Sequence, residues 1–161
     1  PGGPEIQKAA QDGSGDISLP RAWLRGSYDF SFSGLKTALL NKAIDKAIYP
    51  PTDGVTQDQL LIREMAFAFQ TSVADVISKK TIAAALEYKA KAIVLGGGVA
   101  ANTALRTALK DRSPMPVFIP AIKLCTDNGS MIASCAYFQV LRIGSDKLDM
   151  DVLPSLQLGS D

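Results

Sequence analysis

The sequence predicts an α/β fold built on βαβ units, and three observations carry that prediction. Residues 92–95 (Ala-Ile-Val-Leu) form a short apolar run that ends in Gly96-Gly97-Gly98. Residues 99–110 then have helical spacing, and residues 116–119 form a second short apolar run. Residues 127–141 follow with Met131, Ile132, Cys135, Phe138 and Leu141 at helical spacing, which predicts a buried face. Strand, helix, strand, helix implies parallel strands joined by a right-handed crossover.

The first half is predicted to be mostly helical. Residues 1–12 read as a Pro/Gly turn feeding a short helix, with Ile6, Ala9 and Ala10 on one face. Residues 12–16 form a loop. Their Asp-Gly-Ser-Gly-Asp pattern resembles a calcium loop only weakly, because the expected Gly and Glu at later positions are missing. Residues 28–33 alternate bulky and small polar side chains, which predicts a half-buried strand ended by Gly34. Leu35, Ala38, Leu39, Ala43 and Ala47 then mark a helix over 35–48, stopped by Pro50-Pro51. Residues 58–89 are a long helical region with the stripe Leu61, Met65, Phe69, Val73, Val76, Ile77, Ile82 and Leu86. A break near Ser78-Lys79-Lys80 would divide it into two helices. The tail from 142 has no clear periodicity, so the expected division is a domain over 1–141 and an irregular tail over 142–161.

Composition excludes several chemistries. The 161 residues are 47% hydrophobic and 20% charged, which fits a folded chain with a real core rather than a disordered one. Lys plus Arg is 17 and Asp plus Glu is 16, so overall charge gives no pull toward nucleic acid or membrane. There is no histidine, so no Ser-His-Asp triad, Cys-His pair or histidine-ligated metal can be complete within the chain. Cys125 and Cys135 stand ten positions apart, which is neither a CxxC pair nor a disulfide framework and points to a reducing compartment. No apolar stretch approaches the roughly 20 residues that span a bilayer. The opening Pro1-Gly2-Gly3-Pro4 lacks a methionine, which predicts a fragment or a processed product.

Two constellations can carry chemistry. In Leu95-Gly96-Gly97-Gly98-Val99-Ala100-Ala101-Asn102, glycines let the backbone approach a ligand. The helix start beyond them offers free amides to an anion or a polar nucleoside. Asn102 supplies both a donor and an acceptor; alternatively the segment is only a tight turn with Asn102 as a cap. Cys125-Thr126-Asp127-Asn128-Gly129-Ser130-Met131 falls after the second strand, where ligands gather in open α/β sheets. There Asp127 either contributes to a hard-metal site or only caps the next helix. Pro1-Gly2-Gly3-Pro4 reads on its own as a plain turn. Lys79-Lys80 with Lys89 and Lys91, and Lys36 with Lys42 and Lys46, read as solvated helix faces rather than phosphate contacts. Ser31 and Ser33 lack a histidine base and are not assigned as nucleophiles; no catalytic residue is named.

Pro1-Gly2-Gly3-Pro4, Phe30-Ser31-Phe32-Ser33-Gly34-Leu35-Lys36-Thr37-Ala38, Gly97-Gly98-Val99-Ala100-Ala101-Asn102 with Leu105-Arg106, and Cys125-Thr126-Asp127-Asn128-Gly129-Ser130-Met131-Ile132-Ala133 occur in that order. Together they resemble the tRNA threonylcarbamoyltransferase family, formerly called O-sialoglycoprotein endopeptidase or glycoprotease. The resemblance implies an actin-like ATPase lobe, the fold of heat-shock chaperone ATPases and sugar kinases, with βαβ units and a helical insertion. It implies transfer of a threonylcarbamoyl group from an adenylate to the tRNA adenosine 3′ of the anticodon. It also implies one iron or zinc ion held by two histidines and an aspartate. Asp127 matches that aspartate. Gly3 and Asn102 match residues that bind the adenylate, and Gly97 and Gly98 match glycines lining the nucleotide cleft.

The family's HxxxH metal motif and its Ser/Gly-rich phosphate loop are missing, so the chain is expected to be the carboxy-terminal half of the enzyme. It is expected not to retain Fe(2+) or Zn(2+) and to be inactive alone. Gln7, where archaeal and eukaryotic relatives tend to have Glu, points to the bacterial or organellar type and a cytoplasmic location. The expected partners are threonylcarbamoyl-adenylate or an ATP-like nucleotide, tRNA and companion subunits, with no membrane and with self-association of the chain. The alternatives are a non-catalytic nucleotide- or partner-binding module of the same fold and, against the lack of histidine, a zinc metallopeptidase.

Overall fold

A computed structural model of the chain describes residues 2–53, 56–145, 147, 151 and 155. It has α/β architecture with five α-helices and a two-stranded parallel sheet among those residues. The chain divides into two compact units, Pro1–Thr126 and Asp127–Asp161.

The first unit is organised around one long helix. The elements before it are α1 (Gly2–Ala10) and α2 (Ser33–Asp45). Helix α3 (Gln59–Glu87) runs for 29 residues without the break expected near Ser78. Asp58 starts it by accepting from the Leu60 and Leu61 amides at 3.0 and 3.1 Å. It continues through Ser78 and Lys80 because both side chains are buried and bonded. Ser78 Oγ donates to the Asp75 carbonyl, as a helical serine can without breaking the ladder. Lys80 Nζ donates to the carbonyls of Leu24, Ser27 and Asp29 at 2.9, 2.8 and 2.5 Å.

Those three bonds also explain a second difference. Residues 28–33 are not a strand: Ser33 begins α2, and the segment before it has no ladder partner. The Asp29 carbonyl, with those of Leu24 and Ser27 just before the segment, reaches the Lys80 ammonium instead, while the Phe30 and Phe32 rings stack with centroids 6.1 Å apart. Side-chain alternation alone does not make a strand, and backbone carbonyls can be satisfied by a side chain as well as by a neighbouring strand. The 12–16 loop holds a carboxylate rather than a cation. The amides of Ser14, Gly15 and Asp16 donate to Glu64 on α3, holding its carboxyl below the usual range. Gly13 is required in this loop, because a Cβ there would lie 2.3 Å from Phe67 Cβ.

Helix α3 feeds two apolar clusters. On one side Ala68 meets buried Leu19 and Leu35, with Phe32, Phe69 and Val73 packed against them. On the other, Ala74 meets Leu105 and Leu109, with Ile77, Ile82, Leu95 and Val117 around them. Strands β1 (Ile93–Val94) and β2 (Val117–Phe118) flank α4 (Thr103–Arg112) in sequence and pair in parallel, Ile93 with Val117 and Val94 with Phe118. The predicted βαβ unit is therefore present. Its strands are shorter than the apolar runs, because only Ile93 of the facing pairs is buried, while Val94 and Phe118 are exposed.

An ionic network closes the base of this unit. Asp75 of α3 accepts from Arg21 through Oδ2 at 2.8 Å and from Arg112 through Oδ1 at 2.7 Å. Burial alone would raise the Asp75 pKa, but the two guanidinium groups outweigh it and the carboxyl sits below its ordinary value. Arg112 also donates to Ser78 Oγ and Arg21 to Ser72 Oγ, so the segment before α2, helix α3 and the end of α4 share one network.

In the second unit, α5 (Gly129–Ile143) is the helix expected over 127–141, but none of its residues is buried. Met131, Ile132, Phe138 and Leu141 are all exposed, so the predicted buried face is not one in this structure. Helical spacing identifies which residues can be covered together, not that anything covers them. Of the expected irregular tail, Arg142 and Ile143 belong to α5, and most of the rest lies outside the described residues. No helix among the described residues is long and apolar enough to cross a membrane.

Candidate functional site

The glycine run after β1 makes an abrupt turn. Gly97 has φ 84° and ψ 174°, a backbone state open only to glycine without strain. A 3-10 turn over Gly98–Ala101 follows, and only then does α4 begin at Thr103. A single helix from Val99 was expected; the turn intervenes because Asn102 adopts β-region angles and restarts the helix as its N-cap.

Asn102 is therefore a helix cap, and its side chain is also aimed. Its Oδ1 accepts the Leu105 amide at 2.9 Å, and its Nδ2 donates to Gln70 Oε1 of α3 at 2.9 Å. One amide hydrogen and one lone pair remain for other partners. Gln7 of α1 accepts the Thr103 amide through Oε1 at 2.9 Å. Two of the free amides expected at the α4 start are thus taken by neutral side-chain oxygens, which weakens that end as a phosphate site.

These groups face one cleft of about 580 Å³ within the first unit. Gly3, Gln7, Phe69, Gln70, Gly98, Asn102 and Ile122 are among the residues lining it, and none of its lining residues is charged. Three residues singled out from sequence, Gly3, Gly98 and Asn102, thus come together from α1, the 3-10 turn and the α4 cap. Neither Gly2 nor Gly3 has a heavy atom within 4 Å of where a Cβ would stand, so this wall of the cleft is open. Pro1 lies outside the described residues. Gly97 does not line the cleft; it shapes the turn that presents Gly98.

Gln7 and Gln70 were not singled out as site residues. A signal existed for each. Gln7 lies four residues after Gly3 and so on the same helical face. Gln70 is a long neutral amide beside Phe69 and Val73 on an otherwise apolar stripe.

Asp127 belongs to the second unit and is exposed. It does not cap α5. That role falls to Asn128, which has extended angles and accepts the Met131 amide at 3.0 Å. Cys125 is a buried free thiol and Cys135 an exposed one. With no histidine in the sequence and no group of three or more acidic or cysteine side chains fit to hold an ion among the described residues, the donors of this chain do not by themselves fit an iron or zinc centre.

The comparisons with known proteins agree with the motif order. A profile of the family described as tRNA N6-adenosine threonylcarbamoyltransferase matches residues 1–134. Curated relatives of that name include one from Dehalococcoides mccartyi, 49% identical over 160 residues, covering 99% of this chain and 46% of the relative. One from Thermomicrobium roseum is 46% identical over 172 residues, covering 98% of this chain and 47% of the relative. One from Moorella thermoacetica is 42% identical over 163 residues, covering 98% and 46%. The chain spans about half the length of these relatives. A profile match over most of the chain and relatives this similar over nearly all of it place the chain in the tRNA N6-adenosine threonylcarbamoyltransferase family.

Proposed function

We propose that the chain forms the nucleoside-binding part of an actin-like lobe in an enzyme that moves a threonylcarbamoyl group from threonylcarbamoyl-adenylate to the tRNA adenosine 3′ of the anticodon. The observation that carries the reading is the uncharged cleft joining Gly3, Gly98 and Asn102. Its apolar walls suit an adenine ring, and its three side-chain amides suit ring nitrogens and ribose hydroxyls. The adenylate phosphate, by contrast, finds no cation in that lining and belongs outside it.

The cleft residues act by binding and orientation. Asn102, fixed by the Leu105 amide and by Gln70, presents its remaining donor in one direction, which lowers the cost of ordering on binding. Asp127 is proposed as one ligand of an Fe(2+) or Zn(2+) ion whose two histidines this sequence lacks. Companion subunits and a cytoplasmic location are part of the same proposal. The exposed apolar surface of α5 supports self-association of the isolated chain, which would sediment as a dimer.

Joined to the histidine-bearing amino-terminal half of a bacterial family member, the chain is expected to restore threonylcarbamoyl transfer to tRNA. Asn102→Ala in that protein is expected to lower kcat/KM at least tenfold, chiefly through KM for the adenylate. A folded, metal-loaded fusion that leaves tRNA unmodified would reject the proposal.

A further inference from the structure

We infer that Arg106 sets the width of the nucleoside cleft, as a positioning residue that does not itself line it. The inference rests on the cleft being the ligand site. Two separate turns each supply part of its lining. The Gly98–Ala101 turn presents Gly98, Val99 and Ala101, and a second 3-10 turn, Ile122–Leu124, presents Ile122. Each turn closes on itself: the Ala100 amide donates to Gly97 and the Asn102 amide to Val99 in the first, and the Cys125 amide to Ile122 in the second. Helix α4 and strand β2 separate them in sequence.

The Arg106 guanidinium bridges the two. Its Nε donates to the Ala100 carbonyl at 2.6 Å, inside the first turn. Its Nη2 donates to the Pro120 carbonyl, where the chain leaves β2 and enters the second turn. The same nitrogen lies 3.4 Å from Cys125 Sγ, at the end of that turn. Ala100 and Cys125 are both buried, so these anchors are held on their own sides as well. Arg106 stands on the first turns of α4, the helix that Asn102 caps. One residue thus links the glycine turn, the helix that carries Asn102 and the turn that carries Ile122. A planar fork can serve acceptors in two directions at once, which a lysine ammonium on a flexible stem cannot reproduce.

The test uses the 161-residue chain, AMP as the probe and Arg106→Lys, which keeps the charge and loses the fork. Calorimetric titration is expected to show AMP binding at least about tenfold weaker than in the parent chain, because small misplacements of a binding wall are costly. Amide hydrogen exchange without ligand is expected to quicken together at the Ala100 and Asn102 amides and at the Leu124 and Cys125 amides that close the two turns, while the Ile93 and Leu95 amides of the strand pair stay protected. A uniform rise across the unit would mean that Arg106 supports the fold in general and would overturn the inference, as would unchanged AMP affinity. Failure of the parent chain to bind AMP would reject the cleft reading instead. The paired exchange response would then decide the bridge alone: present, it stands; absent, it falls. If Arg106→Lys does not fold, Arg106→Gln, which keeps a donor toward Ala100, enters the same measurements.

Discussion

Helices α4 and α5 follow the two successive strands of the βαβ pattern, yet they differ sharply in burial. Helix α4 is polar over much of its surface, and it buries Leu105 and Leu109 almost completely, at 2% and 0% exposure. Helix α5 is apolar on nearly every side and buries nothing, with Phe138 and Leu141 at 67% and 68% exposure. The stripe of α4 meets Ala74 of α3 together with Leu95 and Val117 beside the strands. Apolar spacing therefore states what a helix can bury, and its neighbours decide whether it does. The comparison also separates the two candidate sites. Asn102 starts a helix fixed by a core, whereas Asp127 precedes one whose residues are all solvent-accessible.

The largest expected effect tests that contrast directly. Leu109→Ala should cost about 2–5 kcal/mol in urea unfolding of the chain, through lost transfer energy and the cavity left behind. Phe138→Ala, measured on chain dilute enough to be monomeric, should change unfolding by no more than about 0.5 kcal/mol. Equal losses at the two positions would break the comparison.

The ionic network predicts a smaller effect with a pH signature. Asp75→Asn removes a carboxylate shared by Arg21 and Arg112 and should cost about 2 kcal/mol near pH 7. Because the folded Asp75 pKa is depressed, its contribution is fully present above the unfolded value of about 4 and is lost as pH falls below it. The difference in Tm between the parent chain and Asp75→Asn should therefore be constant from pH 7 to about 5 and shrink toward pH 3. A gap that widened on acidification would reverse the assignment.

Two glycines sharpen the contrast at the smaller end. Gly97→Ala forces a Cβ into a backbone state that glycine alone adopts readily and should cost on the order of 1–3 kcal/mol, with weaker AMP binding. Gly144, with φ 83°, closes the end of α5. Gly144→Ala should fray only the last turn of that helix, lowering its helical circular dichroism slightly while the main unfolding transition stays in place.

Much of this was legible in the residue order. Local chemistry located the glycine run, and apolar spacing located α2, α3 and the strand pair to within a few residues. What stayed hidden depended on contacts between distant parts of the chain. Residues 28–33 look like a strand until Lys80, some fifty positions later, is seen to take the carbonyls of the adjoining segment. The same is true of the cleft. Gly3, Gly98 and Asn102 were readable as motif residues, but Gln7 reaches Thr103 across 96 positions and Gln70 reaches Asn102 across 32. Of the two readings of Asp127, the cap falls instead to its neighbour Asn128, because the two side chains can play the same role and only the local backbone angles choose between them.

The central claim is that an uncharged cleft between α1, α3 and the start of α4 receives a nucleoside. Titrating AMP into isotope-labelled chain and following amide signals by NMR tests it most directly. The account predicts saturable shifts at Gly3, Gly98 and Asn102 and at the side-chain amides of Gln7 and Gln70, with adenosine giving the same set. Shifts confined to α5, or none at millimolar AMP, would contradict it.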